Sequence, residues 1–381
     1  FVHLGVALAL RGTRTIRTAA AGVFVAVFII WSALPSDWVL RQATAVDSER
    51  TELVELVESL SATVLVKRYD DVEGTWFSLE LNGVNVAGTE PSLLAVQQLQ
   101  GNLPMLLAEN TGRILHIGFG SGGTCWSVTR YPVEQVDLVE IAPEVLGASD
   151  THFADINHGV LNDPRVNVVV NDGRNFLLAT DRRYDAILSD SIHPLYAGNS
   201  TLYTREYFEM CRRHLNPGGV TSMWLPIYSL DRGSLLRIIR AFHEVFPQTV
   251  VWYDVSTVNE FTVVTGMVEP GPVEVMWERA AIPAVTESLR IANVNSRENL
   301  MANLLLAPDE VARLTRDIPA FVDDLPYVEY TSGRLLARDL TWFDNLVMLF
   351  ESRTFESPFP DGTGNWEGAV AYRDRRLRAR S

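Results

Sequence analysis

A short apolar run that breaks into glycines constrains the fold more than any other stretch of this chain. Residues 113–124 read RILHIGFGSGGT, in which Ile114–Ile117 has the content of a buried strand. Four glycines follow the run, namely Gly118, Gly120, Gly122 and Gly123. Glycines there allow a tight turn and bring backbone amides close to a ligand at the start of a helix. A second apolar run ends on Glu140 about 20 residues later, where an acid commonly accepts hydrogen bonds from ribose hydroxyls. We therefore predict a nucleoside-binding crevice, with a purely structural strand–turn–helix junction as the alternative.

Strand-like and helix-like stretches alternate from residue 113 to about residue 265, which predicts a doubly wound α/β domain of the Rossmann type. The predicted strands are Ile114–Ile117, Val136–Ile141, Val166–Val170, Ala186–Ser189, Val220–Trp224 and a late pair near Val250 and Phe261. Ligands bind such sheets at the carboxyl ends of the strands. The glycine-rich turn, Glu140, the pair Asp172-Gly173 and Asp190 each follow a predicted strand, so we expect them to share one site.

A smaller unit is predicted ahead of this domain. The stretches Thr63–Lys67, Thr75–Leu81 and Val84–Ala87 are rich in β-branched and aromatic residues. The pair Asn82-Gly83 is a strong hairpin signal between the last two, so we predict a small antiparallel sheet. The preceding stretch, Ser48–Leu60, is predicted to be a charged helix or linker. The resulting division is a membrane segment 1–40, a linker and hairpin domain 41–104, a nucleoside-binding domain 105–268, and a helical extension with a basic tail 269–381.

The N-terminal region predicts a transmembrane helix. Residues 18–36 carry no charge and contain AAAGVFVAVFIIWSAL, which is about the length needed to cross a bilayer. Because the first residue is Phe, we expect the chain to continue a longer polypeptide. Arg11, Arg14 and Arg17 lie before the helix, and the positive-inside rule then puts the following domain outside the cell. A nucleoside co-substrate is instead expected in the cytoplasm, and we favour a membrane-anchored protein whose soluble domain is cytoplasmic.

The composition excludes other functions. A net charge of −15 argues against nonspecific nucleic-acid binding, which needs a basic surface, and suits cationic substrates. Cys125 and Cys211 are the only cysteines, so neither a disulfide framework nor a cysteine-based zinc site is implied. An ordinary acidic, solvated surface is the alternative reading of this charge. We expect no nucleic acid and no metal as partners of the site.

The order of several motifs resembles the spermidine/spermine synthase family, whose members are polyamine aminopropyltransferases. The motifs are HIGFGSGGT, VDLVEIAPEVL, LNDPRVNVVVNDGRNFL, YDAILSDSIHP and LYTREYFEMCRRHLNPGG, and they fall within roughly residues 84–253. The segments GFGSGGT, SMWLPIYSL and DDLPYVEY are similar, more narrowly, to a branch in which a membrane region precedes a synthase-like domain. The resemblance implies a class I methyltransferase-type fold. It also implies decarboxylated S-adenosylmethionine or S-adenosylmethionine as co-substrate, and an amine or polyamine acceptor.

The resemblance implies roles for individual residues. The glycine loop would wrap the methionine-derived part of the nucleoside, and Glu140 would bind its ribose. Asp172 and Gly173 would read the adenine, and Gln97 would lie beside the nucleoside or the substrate. Asp190 matches the first acid of the family's DSxDP motif, which helps to deprotonate the attacking amine. An alkylammonium is not a nucleophile, so a carboxylate that binds it and accepts its proton suits the reaction. The alternative for Asp190 is a structural acid bonded to nearby backbone.

Several positions depart from the family pattern. Ser121 stands where the loop usually has an Asp that grips the free amine of the decarboxylated arm. His193 replaces the second acid of DSxDP, and is a candidate either for a base near neutral pH or for a turn cap. Trp224 stands where a Gln is expected, and either stacks on a substrate or packs in the core. Asp323 and Asp324 would replace the lost acids if the C-terminal segment covered the crevice; the alternative is a surface turn.

The first interpretation of function is a membrane-anchored, aminopropyltransferase-like enzyme. A homodimer is a separate prediction for its assembly. Because Ser121 makes the loop resemble that of methyltransferases, an S-adenosylmethionine-dependent methyltransferase is the second interpretation. The third is a non-catalytic domain that senses the nucleoside for a membrane partner. Gly118, Gly120 and Gly123 also satisfy the GxGxxG pattern of dinucleotide oxidoreductases, but no later motif supports that reading.

Overall fold

A computed structural model describes most of the chain beyond residue 50. The described residues are 51–59, 62–70, 74–190, 193–196, 198–269, 271–331, 341–354, 356–360 and 365–378, together with positions 22 and 25. The predicted transmembrane helix at 18–36 lies outside these residues apart from those two positions, so it stays a prediction. Within the part of the chain that the structure describes, no helix is long and apolar enough to cross a membrane. The division into four segments also stays a prediction.

A four-stranded antiparallel sheet precedes the main domain. Its strands are β1 Thr51–Glu58, β2 Thr63–Asp70, β3 Thr75–Leu81 and β4 Val84–Gly88, paired in chain order. Asn82 and Gly83 have φ values of 52° and 82°, the left-handed conformations that a two-residue hairpin requires. Val64, Val66 and Leu79 form a buried apolar cluster with residues of the helices that follow Glu140. The predicted small antiparallel sheet is therefore confirmed.

The first strand of this sheet corrects the prediction of a charged helix or linker at Ser48–Leu60. Leu53, Val54, Leu56 and Val57 have a spacing that also fits a helix face. In the structure this segment is β1, which pairs with β2 and shifts register between Leu53 and Glu55. Pairing with a neighbouring strand decides the structure here, because β-branched residues suit a pleated surface and the register shift absorbs the imperfect alternation.

The main domain is built on an eight-stranded sheet. Its strands are β5 Arg113–Ile117, β6 Gln135–Glu140, β7 Val166–Val170, β8 Tyr184–Ser189, β9 Leu215–Pro226, β10 Gln248–Trp252, β11 Phe261–Met267 and β12 Leu304–Leu306. They lie in the order β12-β10-β11-β9-β8-β5-β6-β7. Strands β5 to β9 pair in parallel, and β11 runs antiparallel to both β9 and β10. Because β6 and β8 lie on opposite sides of β5, the strand order reverses there, and such a switch point opens a crevice at the carboxyl ends of the strands.

Helices cover the large sheet and connect its strands. They are α1 Pro91–Leu107, α2 Gly123–Thr129, α3 Pro143–His152, α4 Ala154–Asn157, α5 Gly173–Ala179, α6 Arg205–Arg213, α7 Arg232–Val245, α8 Pro283–Ile291, α9 Arg297–Ala302, α10 Pro308–Thr315, α11 Tyr327–Thr331, α12 Thr341–Glu351 and α13 Trp366–Arg378. Side-chain caps start several of them: Asp172, Thr204 and Asp231 each accept a hydrogen bond from a backbone amide in the first turn. The predicted Rossmann-like, methyltransferase-type α/β domain is confirmed.

The C-terminal part contributes to the same sheet. The sequence predicts a helix over Leu300–Leu306, but the helix α9 ends at Ala302 and Leu304–Leu306 forms the edge strand β12, paired with β10. Near the end of the described chain, the Arg373 side chain is buried, and its Nη1 donates to the Leu304 carbonyl oxygen at 2.9 Å. The residues after 269 therefore complete the core that carries the crevice.

Candidate active site

A cavity of about 540 Å³ opens at the carboxyl ends of the central strands. Residues that the sequence predicts for the site and that line this cavity are Gln97, Gly118, Gly120, Ser121, Glu140, Asp172, Gly173, Asp190, His193 and Trp224. Gly122 and Gly123 do not line it but begin the helix that supports the loop. The volume lies within the roughly 300–1,000 Å³ that is typical of small-molecule sites. The strand ends thus meet around one space, as their spacing in the sequence predicts.

Close packing explains why the loop needs glycine. Gly122 has a φ of 86°, and a Cβ on it would lie 2.5 Å from Phe119 Cζ and 2.7 Å from Asn157 Cβ. A Cβ on Gly173, at the start of α5, would lie 2.4 Å from Ile117 Cγ2. Both positions lack room for any side chain. Packing within the protein therefore requires glycine at both positions.

Glu140 ends β6 with both carboxylate oxygens already bonded to backbone. Oε2 accepts from the Phe119 amide at 2.8 Å, and Oε1 accepts from the Ala142 amide at 2.9 Å. The residue is 6% exposed, and burial raises its pKa although these amides oppose the shift. Since each carboxylate oxygen has a second lone pair, the geometry fixes the acid in place and leaves acceptor capacity for ribose hydroxyls.

Asp190 follows β8 across the switch point from the glycine loop. Its Oδ2 accepts a 2.8 Å hydrogen bond from Thr124 Oγ1, and its amide donates to the Ile117 carbonyl at 2.8 Å. Burial raises the pKa of Asp190 to about 6; the Thr124 hydrogen bond opposes the shift and the charge of Glu140 adds to it. A carboxylate with such a pKa is ionised at neutral pH and is a stronger base than an exposed one.

Asp172 and Gly173 begin α5 beside the cavity. Asp172 Oδ1 accepts from the Asn175 amide at 2.8 Å, so the acid serves as the helix cap while it lines the cavity. Asn171, which the sequence did not single out, lines the cavity next to it. This region provides polar groups at the edge of the cavity where the resemblance predicts adenine.

His193 has a backbone partner at each ring nitrogen. Its Nδ1 accepts from the Leu195 amide at 3.2 Å, and its Nε2 lies 3.0 Å from the Tyr228 carbonyl oxygen. Nε2 must therefore carry the proton, and burial lowers the pKa of His193 to about 4. The arrangement matches the turn-capping alternative, because neither nitrogen is left to accept a proton from a substrate. The predicted role of His193 as a base therefore has no support in this geometry.

Aromatic side chains and an acid form the far end of the cavity. Trp224 lies 5.6 Å from Phe261 between ring centroids, and Tyr228 lies 5.8 Å from Phe261 nearly at right angles. Glu260 also lines this end. The sequence singles out Trp224 alone, because Tyr228, Glu260 and Phe261 match no motif position that carries a role. Their position beside strands β9 and β11 is the signal that could have found them.

The structure does not bring Asp323 and Asp324 to the cavity. Asp323 pairs with Arg174 of α5, where Arg174 Nη1 lies 2.9 Å from Oδ1, and Asp324 is exposed. Nearby, Glu329 accepts from Ser200 Oγ at 2.6 Å. The prediction that these two acids replace the missing substrate acids therefore does not hold for this arrangement. The segment instead anchors α5 and the loop at 198–202, which contributes Gly198, Asn199 and Leu202 to the cavity.

A buried polar network on α1, which belongs to no recognisable motif, supports the glycine loop. Gln98 Nε2 donates to the Gly123 carbonyl at 2.9 Å, and its Oε1 accepts from Ser288 Oγ at 2.8 Å. Gln100 Nε2 donates to the Ser189 carbonyl at 3.1 Å, one residue before Asp190. These glutamines hold the two strand ends that carry the glycine loop and the acid.

Comparison with known proteins finds a family match in the central part of the chain. Residues 93–269 match the spermine/spermidine synthase domain. The match runs from within α1 to just beyond β11 and includes most of the residues that line the cavity; Leu81, Asn85, Val86 and Ala87 lie before it. It confirms the similarity to the synthase family that the motifs predict, and it does not test the narrower similarity to a membrane-fused branch.

The chain is also similar to curated polyamine aminopropyltransferases over part of their length. The chain is 33% identical over 149 residues to a polyamine aminopropyltransferase of Korarchaeum cryptofilum, a stretch that covers 39% of this chain and 46% of that protein. It is 33% identical over 156 residues to polyamine aminopropyltransferase 1 of Pseudomonas aeruginosa, covering 40% and 54%. The chain spans about half the length of the curated relatives it matches.

A solved spermidine synthase, crystallised with the transition state analogue AdoDATO, has the same fold. It superposes with a TM-score of 0.52 at 19% identity, covering 78% of this chain and 88% of that one. At this identity the likeness concerns the fold alone.

Proposed function

We propose that this chain is an aminopropyltransferase, which binds a decarboxylated S-adenosylmethionine-type nucleoside and transfers its aminopropyl group to an amine. The observation that carries the proposal is that Asp190 shares one cavity with Glu140 and the glycine loop. An acid suited to an amine thus lies within reach of a pocket suited to a nucleoside. The similarity of residues 93–269 to the spermine/spermidine synthase domain supports the same reaction.

The nucleoside would occupy the half of the cavity between β5 and β6. The glycine loop would surround the sulfonium arm, Glu140 would accept hydrogen bonds from the ribose, and Asp172 with Gly173 would contact the adenine. Gly118, Gly120 and Gly173 line this half of the cavity, where the lack of a side chain leaves the backbone open to such a ligand. No metal is needed for this chemistry, since the sulfonium already activates the carbon beside it.

In the proposed reaction the acceptor nitrogen attacks the methylene carbon beside the sulfonium. A nitrogen–carbon bond forms, the carbon–sulfur bond breaks, and the electron pair leaves with sulfur as a neutral thioether nucleoside. The attacking nitrogen must lose a proton, which Asp190 would accept. The pKa of Asp190, about 6, keeps it ionised at neutral pH while making it a better base than an exposed Asp. Orientation of the two substrates would supply much of the remaining rate enhancement.

Product analysis tests the proposal directly. The full chain is incubated with decarboxylated S-adenosylmethionine and diaminobutane, and methylthioadenosine and the aminopropylated amine are measured by mass spectrometry. Asp190→Asn should lower kcat by about 10² or more, the range for general-base groups, without loss of nucleoside binding. Asp181→Asn, an exposed acid after α5, is the matched control and should be active. Nucleoside binding without product from the unsubstituted chain would contradict aminopropyl transfer and favour a sensing domain.

A methyltransferase is the second candidate, and Ser121 favours it. Ser121 is neutral, it lines the cavity, and its Oγ donates to Gln97 Oε1 at 2.7 Å. A loop without a carboxylate has no evident group to hold the free ammonium of a decarboxylated arm. The same assay with intact S-adenosylmethionine decides between the two, because S-adenosylhomocysteine would form in place of methylthioadenosine.

We further propose that residues 18–36 anchor the chain in a membrane, as the similarity to the membrane-fused branch implies, with the cavity on the cytoplasmic side. The support is the uncharged run itself and the cytoplasmic supply of sulfonium nucleosides. Fractionation of cells that express the full chain tests the anchor, and protease digestion of sealed vesicles tests the side. Recovery in the soluble fraction would contradict the anchor. The homodimer stays a prediction.

A further inference from the structure

We infer that the cavity also takes intact S-adenosylmethionine as a donor and transfers its aminocarboxypropyl group to an amine. The inference rests on the proposed function, because it keeps the same site and the same attacked carbon. It goes beyond that function by adding a second donor and a second product. Two glutamines of α1 provide the contacts, since together they offer the cavity one hydrogen-bond donor and one acceptor.

Gln97 offers the donor. The residue is half-buried and lines the cavity. Its Oε1 accepts from Ser121 Oγ at 2.7 Å, and no described residue accepts a hydrogen bond from its Nε2. An amide nitrogen carries two N–H groups and accepts no hydrogen bond. This end of the amide therefore suits a carboxylate, which the intact donor has and the decarboxylated donor lacks.

Gln100 offers the acceptor. Its Nε2 donates to the Ser189 carbonyl at 3.1 Å, and because a carbonyl oxygen only accepts, this contact fixes which end of the amide is the oxygen. The residue is 1% exposed and lines the cavity, and its Oε1 is buried without a donor in the described part of the chain. A buried carbonyl oxygen without a donor is unfavourable, so an ammonium of the ligand would stabilise it.

The two glutamines lie on one face of α1. They are three residues apart, so their side chains are neighbours, with about 5–6 Å between Cβ atoms. A donor beside an acceptor matches the carboxylate and the ammonium that share one carbon at the end of the intact donor's arm. A decarboxylated arm would leave Gln97 Nε2 without a ligand partner. Since both amides are neutral, neither repels a charge of the intact arm.

The reaction with the intact donor follows from the same position of Asp190. The acceptor nitrogen attacks the methylene carbon beside the sulfonium, a nitrogen–carbon bond forms, and the carbon–sulfur bond breaks. The electron pair leaves with sulfur as methylthioadenosine, and Asp190 accepts the proton that the nitrogen loses. The amine product then carries a carboxyl group. Methyl transfer from the same donor would instead leave S-adenosylhomocysteine, so the nucleoside product distinguishes the two reactions.

Product analysis tests the inference. The full chain is incubated with diaminobutane and either donor, and mass spectrometry measures the products that depend on the amine. The expected result is methylthioadenosine from both donors and an amine bearing a carboxyl group from the intact donor. Formation of S-adenosylhomocysteine from the intact donor would overturn the inference. Turnover of the decarboxylated donor alone would also overturn it while the proposed function stands. If neither donor yields methylthioadenosine, the proposed function fails and the inference fails with it.

Donor kinetics test the contact with the carboxylate. Gln97→Glu replaces the amide nitrogen by an oxygen at the same size, and it should raise KM for the intact donor about ten-fold or more, because a charge-assisted hydrogen bond becomes a repulsion. KM for the decarboxylated donor should not rise. Gln97→Leu, which adds no charge, should act in the same direction. Gln248→Glu, at the start of β10 and outside the cavity, is the matched control and should change neither KM. An equal rise for both donors in Gln97→Glu would overturn the role of Gln97.

Discussion

Ser121 Oγ donates a 2.7 Å hydrogen bond to Gln97 Oε1, which links the glycine loop to helix α1 at the wall of the cavity. Both residues occupy positions where the synthase-family pattern predicts contact with the donor nucleoside. The hydrogen bond uses the Ser121 proton and orients the Gln97 amide. The wall of the cavity is therefore formed here by a neutral pair. Under the proposed function, this contact would influence the choice between intact and decarboxylated donor.

A carboxylate introduced at this position should change the donor preference. Ser121→Asp is expected to raise kcat/KM for the decarboxylated donor relative to intact S-adenosylmethionine by about ten-fold, because a negative charge attracts the free ammonium and repels the carboxylate of the intact donor. Ser121→Ala removes the hydrogen bond without adding charge and serves as the control. An unchanged ratio of the two kcat/KM values in Ser121→Asp would mean that the donor arm lies elsewhere.

The pH dependence of kcat/KM should report Asp190. Because its pKa is about 6, the carboxylate becomes ionised as pH rises through that value, and kcat/KM should rise there and then level off. Thr124→Val removes the hydrogen bond that favours the ionised form, so it should move this limb to higher pH. Thr129→Val, on the same helix but bonded to the Trp126 carbonyl, is the matched control. If kcat/KM rises at the same pH in Thr124→Val and in the unsubstituted chain, Asp190 is not the group that causes the rise.

The sign of the stability effect at Asp190 is opposite to that of a salt-bridged acid. The pKa of Asp190 is about 6 in the folded protein, whereas its ordinary value is 3.8. Ionisation therefore lowers the stability of the folded state as pH rises from 3.8 to about 6. The free energy of unfolding should therefore fall as pH rises through this window, and it should fall less in Asp190→Asn. Denaturant titrations at both ends of the window measure it, and equal pH slopes in the two proteins would contradict the raised pKa.

Two glycines should respond oppositely to alanine. Gly122→Ala adds a Cβ at a φ of 86° and within 2.5 Å of Phe119, so we expect a loss of about 2 kcal/mol or more of unfolding free energy. Gly147 lies inside α3 with nothing within 4 Å of a Cβ, so Gly147→Ala should gain up to about 1 kcal/mol from helix propensity. Chemical denaturation measures both changes. A Gly122→Ala protein as stable as the unsubstituted chain would show that the loop has another conformation.

His116 on β5 should make the fold sensitive to acid. The side chain is fully buried, neither ring nitrogen has a hydrogen-bond partner among the described residues, and burial lowers its pKa to about 3. The unfolded chain takes up the proton first, so stability is lost as pH falls below 6.5. His116→Leu should reduce this loss by roughly 2 kcal/mol by about pH 5, with no loss of stability at neutral pH.

A second histidine provides the contrast for this prediction. His214 lies with Nδ1 2.8 Å from the Met210 carbonyl and Nε2 3.0 Å from the Thr180 carbonyl. His214→Leu leaves both carbonyls without that partner and should cost about 1–3 kcal/mol at neutral pH. Unfolding free energies at two pH values compare the variants. If His116→Leu loses as much unfolding free energy in acid as the unsubstituted chain, then other groups cause the sensitivity.

Most of what the sequence predicts about this molecule comes from local patterns of residues. The glycine loop, Glu140 and Asp190 are recognisable because each follows an apolar run at a characteristic distance, and parallel strands bring such ends together. The sequence does not single out Tyr228, which follows β9. Glu260 precedes the antiparallel strand β11, whose beginning meets the site only after the whole sheet is assembled. His193 shows a different limit, since its role depends on the Tyr228 carbonyl, 35 residues away in the chain.

The errors in secondary structure have the same origin. Residues in β1 satisfy a helical spacing, and only the presence of β2 decides between the two structures. Leu304–Leu306 is too short to predict by periodicity, and it becomes a strand because β10 offers an open edge. In both cases a distant partner overrides a local preference, which a single sequence does not reveal.

The position of β12 has a consequence for biosynthesis. The strands that surround the cavity leave the ribosome before Leu304–Leu306, and the Arg373 contact that covers β12 forms later still. Until then the outer edge of β10 presents unpaired backbone groups, which are a template for association with other nascent chains. The outer edge of β10 is therefore open to association with other chains from its own translation until β12 pairs with it.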